Sequence, residues 1–135
     1  MADELHTRVK AAFARARDKL TVAQKILELG FSAEVVPPAY YACFHAAEAA
    51  LAIEGDEPKT HEGLKSLFGL RFVATGQLPA ELASILRELK DERESGDYSV
   101  YPAITEADAL RAVASATRFV DALATFVRSR GFEAG

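Results

Sequence analysis

Apolar side chains recur along this chain at the three- and four-residue spacing that is typical of an α-helix. The first apolar stripe comprises Leu5, Val9, Phe13, Ala16, Leu20, Ala23 and Leu27. A stripe of this kind covers one side of an amphipathic helix, which we expect to run from about Asp3 to Leu29. Gly30 follows it, and glycine is favoured at the left-handed position that ends many helices.

Two prolines and a run of alanines define the second predicted helix. Pro37 and Pro38 are compatible only with the first turn, because proline lacks the amide donor that a helix interior needs. The helix should continue to about Glu54. Its small side chains are Ala39, Ala42, Ala46, Ala47, Ala49, Ala50 and Ala52. Such a thin helix can approach its neighbours closely, so we expect it at the centre of the fold.

Capping residues predict the remaining helices. Thr60 is a suitable N-cap for a short third helix, from His61 to about Val73. Pro79 suits the first turn of a fourth helix that ends near Ser95 and Gly96, and its stripe includes Leu82, Ile85, Leu86 and Leu89.

The fifth helix is predicted from its two ends. Thr105 with Asp108 resembles a capping box, with aspartate in place of glutamate. Gly131 should end the helix, which leaves Phe132–Gly135 as a frayed tail. The apolar stripe between them is Leu110, Val113, Thr117, Val120, Leu123 and Val127.

Together these patterns predict an all-α fold. No segment alternates with the period of two that indicates a strand. Short connections favour antiparallel neighbours, so we expect an antiparallel up-down helical bundle of four long helices plus one short helix. A length of 135 residues fits a single domain, residues 1–135.

Composition narrows the function classes. The net charge of −4 argues against a duplex-DNA binder, whose affinity depends on neutralising phosphates. No apolar run approaches the roughly 20 residues of a membrane span, and the N-terminus has no signal-peptide pattern. Cys43 is the only cysteine, which excludes an internal disulfide. We therefore expect a cytoplasmic protein, and no motif calls for a metal or another cofactor.

Basic residues are frequent on the first helix: Arg8, Lys10, Arg15, Arg17, Lys19 and Lys25. They form either a solvated face with local ion pairs or a strip that faces RNA or a protein partner. The first alternative is the more common role of such residues.

Four segments together resemble a known family. They are Tyr40–Leu51, Pro58–Leu64, Phe72–Pro79 and Leu89–Tyr98. In order and spacing, over about residues 35–130, they resemble HEPN domains (higher eukaryotes and prokaryotes nucleotide-binding). Small HEPN proteins are commonly encoded next to a minimal nucleotidyltransferase, with which they form toxin–antitoxin or substrate-binding pairs. The resemblance thus implies a helical bundle that acts with a partner.

The second helix carries a first set of candidate ligand-binding residues. Tyr41, His45 and Glu48 fall on one stripe of the helix, at positions i, i+4 and i+7. A carboxylate beside a histidine can raise its pKa and fix its tautomer, which suits proton transfer or phosphate contact. The alternative is a polar triplet that satisfies only its own hydrogen bonds.

Lys59, Thr60 and His61 form a second candidate set at a helix start. Backbone amides and the helix dipole favour an anion there, and the resemblance places a family motif on these three residues. The alternative is an ordinary cap, with His61 folded over the helix end.

Arg93, Asp97 and Tyr98 form a third set. In HEPN ribonucleases an arginine is followed, after four to six residues, by a histidine, and both meet their copies across a dimer cleft. Here no histidine follows Arg93, so the motif lacks its general acid–base. His45 or His61 could replace it only if the fold brings one of them to Arg93.

The expected function follows from these sets and the resemblance. It is a HEPN accessory or toxin-like subunit, a homodimer that binds nucleotide or RNA and pairs with a nucleotidyltransferase. One alternative is a metal-independent RNA endonuclease with a rearranged active site, and another is a non-catalytic dimerisation or scaffold module. The missing histidine favours binding over cleavage.

Overall fold

Five α-helices form the described part of the chain. The computed structural model describes the backbone of residues 2–98 and 104–135 and the side chains of residues 3–94 and 104–135. The helices are α1 (Ala2–Glu28), α2 (Val36–Ile53), α3 (His61–Phe68), α4 (Ala80–Tyr98) and α5 (Glu106–Ser129). A 3-10 turn precedes α2 and a π-helical turn, Gly69–Val73, extends α3. The described residues contain no strand, which confirms the predicted all-α fold.

The helix ends use the local chemistry that the sequence predicts. Gly30 has a φ of +87°, and the next amide, that of Phe31, donates to Ile26. Thr105 accepts from the Asp108 amide at 3.1 Å and donates its own amide to the Asp108 carboxylate at 3.0 Å, so the capping box is confirmed. Helix α4 extends to Tyr98, a little beyond its predicted end.

Two ion pairs show how α2 is oriented relative to α1. Arg15 in the middle of α1 donates to Glu48 in α2, and Arg8 near the start of α1 donates to Glu57, just beyond the end of α2. Earlier residues of α1 thus meet later residues of the α2 region, and the two helices run antiparallel.

Helix α4 joins the bundle at both of its ends. Arg93 near its C-terminal end lies over the ring of Tyr41 at the start of α2. Glu81 in its first turn accepts two 2.6 Å hydrogen bonds from Arg118 in the second half of α5. Helix α4 is therefore antiparallel to both neighbours, and α1, α2, α4 and α5 alternate in direction.

Helix α2 lies at the centre of the bundle, as its alanines predict, and it contacts each of the other four helices. Most of its residues are buried, and six of the predicted small positions are fully covered: Ala39, Ala42, Ala46, Ala47, Ala49 and Ala50. Because each side chain is a single methyl group, neighbouring helices can approach the α2 backbone closely. A fully buried aromatic cluster, Phe68, Phe72 and Phe119, adds bulk on the side of α3 and α5.

The predicted frayed tail is wrong. Phe132 stacks on His6 of α1 with ring centroids 4.2 Å apart, and Ala134 is buried. The Ala134 carbonyl accepts from Arg17 at 3.5 Å. Gly131, with a φ of +86°, turns the chain back so that this segment can lie against α1.

Within the described part of the chain, none of the helices is both long and apolar enough to cross a membrane.

Candidate functional site

An aromatic and cationic cluster lies where the start of α2, the start of α3 and the C-terminal part of α4 meet. We call it the aromatic site and define it by Tyr40, Tyr41, Phe44, His61 and Arg93. The His61 ring centroid lies 4.8 Å from that of Phe44 and 5.8 Å from that of Tyr41. The site therefore collects side chains from three helices on one surface of the bundle.

Arg93 lies on two aromatic faces of this site. Its guanidinium carbon is 5.2 Å from the centroid of Tyr41 and 5.9 Å from that of Tyr40, within the range of a cation–π interaction. The side chain is only partly buried and also borders a cleft of about 170 Å³, together with Pro37 and Ile104. Arg93 and Tyr41, which belong to two separate candidate sets in the sequence, thus lie together, and Arg93 keeps an exposed side.

Tyr40 and His61 form a neutral hydrogen-bonded pair. The Tyr40 hydroxyl lies 2.7 Å from Nδ1 of His61. Burial raises the pKa of Tyr40 to about 12, so its hydroxyl stays protonated. Burial, helped by the charges of Arg93 and Lys90, lowers the pKa of His61, so the imidazole is neutral at pH 7. We assign the hydroxyl as the donor to Nδ1, because it has no other acceptor among the described residues, and this assignment leaves the ring proton on Nε2.

Two contributors to this site are not found by the sequence reasoning. Tyr40 is not among the predicted binding residues, but its hydroxyl is the partner of His61. Lys90 is buried, and its Nζ donates to Glu94 at 2.9 Å and to Glu62 at 3.2 Å. The i, i+4 spacing of Lys90 and Glu94 was the available signal for this ion pair.

His45 lies beside the aromatic site but makes its polar contact elsewhere. Its ring is 6.3 Å from that of Tyr41, while its Nδ1 lies 3.1 Å from Oε1 of Glu48. The same carboxylate oxygen accepts from Arg15 at 3.3 Å. These contacts, with that of His45 the stronger, lower the pKa of Glu48. Part of the hydrogen bonding of the Tyr41, His45 and Glu48 triplet is therefore supplied by Arg15 of α1.

The predicted set Lys59, Thr60 and His61 does not form one site. Thr60 is an ordinary N-cap, accepting from the Gly63 amide at 2.8 Å. His61 belongs to the aromatic site, whereas Lys59 lines a separate cleft against α1. The binding role of each residue remains a prediction.

The remaining predicted residues can be placed only in part. The backbone of Asp97 and Tyr98 belongs to α4, but their side chains lie outside the described residues. Between described side chains, no hydrogen bond joins Arg93 to His45 or His61, although the charge of Arg93 acts on His61.

Among the described residues, no cluster of three or more histidine, cysteine, aspartate or glutamate side chains could hold a metal ion.

Sequence comparison places the chain in a known family. The HEPN domain model matches residues 9–126, and the chain belongs to this family. It is 30% identical to a Methanocaldococcus jannaschii protein named "putative toxin" over 118 residues, 87% of each chain. It is 32% identical to a UPF0332 protein of Archaeoglobus fulgidus, over 87% of this chain and 90% of the relative. A second M. jannaschii "putative toxin" is 27% identical, over 62% of this chain and 57% of the relative.

Proposed function

We propose that this chain is a toxin-like HEPN subunit that binds a nucleotide or RNA at the aromatic site. The observation that carries the proposal is the position of Arg93, which lies 5.2 Å from the centroid of the Tyr41 ring and is partly exposed. The names of the two M. jannaschii relatives support the toxin-like part.

The chemistry of the site suits a nucleotide. Stacking of a base on an aromatic side chain contributes about 1–3 kcal/mol and does not depend strongly on the base. The planar Arg93 guanidinium can give a phosphate two parallel donors. Nε2 of His61 adds a neutral donor beside them, because Nδ1 is occupied by Tyr40. Base and phosphate recognition would then come from adjacent groups.

The proposal extends to partners. The family resemblance supports a homodimer and pairing with a minimal nucleotidyltransferase. Light scattering at micromolar concentration should give about twice the monomer mass, and a nucleotidyltransferase encoded next to this chain should co-purify with it. A monomeric mass throughout that range would reject the dimer.

Calorimetric titration tests the binding site directly. ATP and a short single-stranded RNA serve as probes, and Arg93→Ala is compared with Arg87→Ala, an exposed arginine on the same helix. Loss of charge-assisted contacts worth about 1.5–3 kcal/mol should weaken binding at least tenfold in Arg93→Ala alone. Both variants should remain folded, with Arg93→Ala melting at most a few degrees lower because it loses the cation–π contacts with Tyr40 and Tyr41. If they bind equally well, the cluster serves packing only and the chain is a dimerisation or scaffold module.

The alternative is a metal-independent RNA endonuclease with a rearranged active site. The charge of Arg93 acts on His61, which favours this alternative, because an imidazole released from its bond to Tyr40 could accept or pass on a proton. Cleavage of RNA that disappears in both Arg93→Ala and His61→Gln would establish this function over simple binding.

A further inference from the structure

A second cleft lies between α1 and the segment that follows α2, away from the aromatic site. Its volume is about 330 Å³, and its walls carry charged side chains from three parts of the chain: Arg8, Arg15, Glu48, Asp56, Glu57 and Lys59. Its floor includes Ala12 and Ala52, whose small side chains are buried and leave the space above them open.

Three cations converge on this cleft. Arg8 and Arg15 are seven residues apart on α1, two helical turns, and therefore share one face of the helix. Lys59 approaches from the opposite wall. Arginine offers a planar donor fork and lysine a compact ammonium group, and both are common ligands of phosphate in proteins.

Each arginine is held by a glutamate that another anion could replace. Arg8 donates to Glu57 at 2.6 Å, and Arg15 donates to Glu48 at 3.3 Å. The glutamate side chains are 63% and 37% exposed. Ion pairs between exposed side chains contribute little to stability, since water and salt compete with them. Exchanging a carboxylate for a better ligand at the arginine therefore costs the fold little.

The acidic residues of the cleft also have other partners. Asp56 accepts from Nε and Nη2 of Arg71, at 2.8 and 3.4 Å. Glu48 would keep its contact with His45 after releasing Arg15. Glu57 has no second described contact, so it would turn outward into solvent on releasing Arg8. It is the most exposed of the three acidic residues.

We propose that this cleft is a second anion site, which binds a phosphate group by exchanging the two glutamates for phosphate oxygens at Arg8 and Arg15. Lys59 provides the third positive charge. Tyr41 and Ala52 are eleven positions apart on α2, or about 16 Å along the helix. The site is thus distinct from the aromatic site and does not depend on the function proposed there.

Pyrophosphate titrated by calorimetry at low ionic strength is the first test. Arg15→Gln should weaken pyrophosphate binding about tenfold, whereas Lys19→Gln, an exposed α1 cation outside the cleft lining, should leave it unchanged. Glu57→Gln removes the competitor of Arg8 and should tighten binding several-fold. Equal weakening by Arg15→Gln and Lys19→Gln would indicate a net-charge effect and overturn the proposal, as would a lack of saturable binding.

A short single-stranded RNA distinguishes the source of the phosphate and separates this site from the aromatic one. RNA binding weakened by both Arg15→Gln and Arg93→Ala would show that one strand uses both sites. RNA binding insensitive to Arg15→Gln, with pyrophosphate binding still dependent on it, would assign the cleft to a small phosphorylated molecule. Pyrophosphate binding that survives Arg93→Ala but fails in Arg15→Gln supports the cleft even if the aromatic site binds nothing.

Discussion

The Tyr40 hydroxyl lies 2.7 Å from Nδ1 of His61 and thereby connects the buried start of α2 to the first residue of α3. The bond has two consequences. It gives a buried hydroxyl its partner, which otherwise would cost free energy, and it fixes the imidazole with its proton on Nε2. The bond thus orients His61 within the aromatic site, while burial and the charges of Arg93 and Lys90 lower its pKa and keep it neutral.

We predict that the protein loses stability as the pH falls from about 7 through the folded-state pKa of His61. That pKa is lowered from 6.5 by burial and by Arg93 and Lys90. The unfolded chain therefore binds the proton first, and protonation favours unfolding until the folded state is protonated too. Above the unfolded pKa the contribution is fully present.

Urea unfolding between about pH 5 and pH 7.5 measures this effect. His61→Gln keeps an acceptor for the Tyr40 hydroxyl but does not titrate, so its free energy of unfolding should change less with pH across this window. Parallel curves for the two proteins would show that His61 does not carry the predicted pH dependence.

Lys90→Met should raise the pKa of His61 toward its ordinary value. The substitution keeps an apolar stem of similar length and removes one of the two positive charges that disfavour the imidazolium. Lys65→Met is the matched control, because Lys65 pairs with the same Glu62 at 3.2 Å without being among the charges that shift His61. NMR titration of the imidazole resonances gives the values, and equal pKa values of His61 in the two variants would contradict the prediction.

Local chemistry explains why the helix bounds could be predicted. A capping box such as that of Thr105 and Asp108 involves residues only three positions apart. Pro37 likewise restricts the conformation of only the helical turn that contains it. The packing of Phe132 on His6, by contrast, joins opposite ends of the chain, and no local pattern encodes it. A residue that lies beyond a helix end in the sequence can thus pack against the core.

The candidate site likewise has parts that the sequence predicts and parts that it does not. Helical spacing alone placed Tyr41, His45 and Glu48 on one stripe, and the family resemblance pointed to Arg93. The separation of Lys59 from His61 could not be predicted, because neighbouring side chains at a helix start face different surfaces. The contact of Lys90 with Glu62 could not be predicted either, but for another reason: the two residues lie on different helices.

Ala46→Leu should destabilise the fold by about 1–3 kcal/mol or more, because three extra carbon atoms must enter a close-packed interface. Ala46 is fully buried on the central helix, whereas Ala14, on the exposed side of α1, provides the control substitution Ala14→Leu. Urea unfolding should show a lower midpoint for the first variant and little change for the second. A midpoint of Ala46→Leu equal to that of the unmodified protein would mean that α2 does not pack as tightly as its buried alanines indicate.

The protein alone should cleave RNA weakly or not at all. No histidine follows Arg93 in the sequence, and among the described side chains Arg93 forms no hydrogen bond with His45 or His61. His61 uses Nδ1 for Tyr40, so its remaining proton on Nε2 makes it a donor rather than a base in this arrangement. A mixed RNA pool incubated with the protein should stay intact, both for the unmodified chain and for Arg93→Ala.

Cleavage by the unmodified chain that is absent in Arg93→Ala would contradict this prediction and favour the endonuclease. Adding His61→Gln would then show whether the imidazole, released from Tyr40, moves the proton of the 2′-hydroxyl.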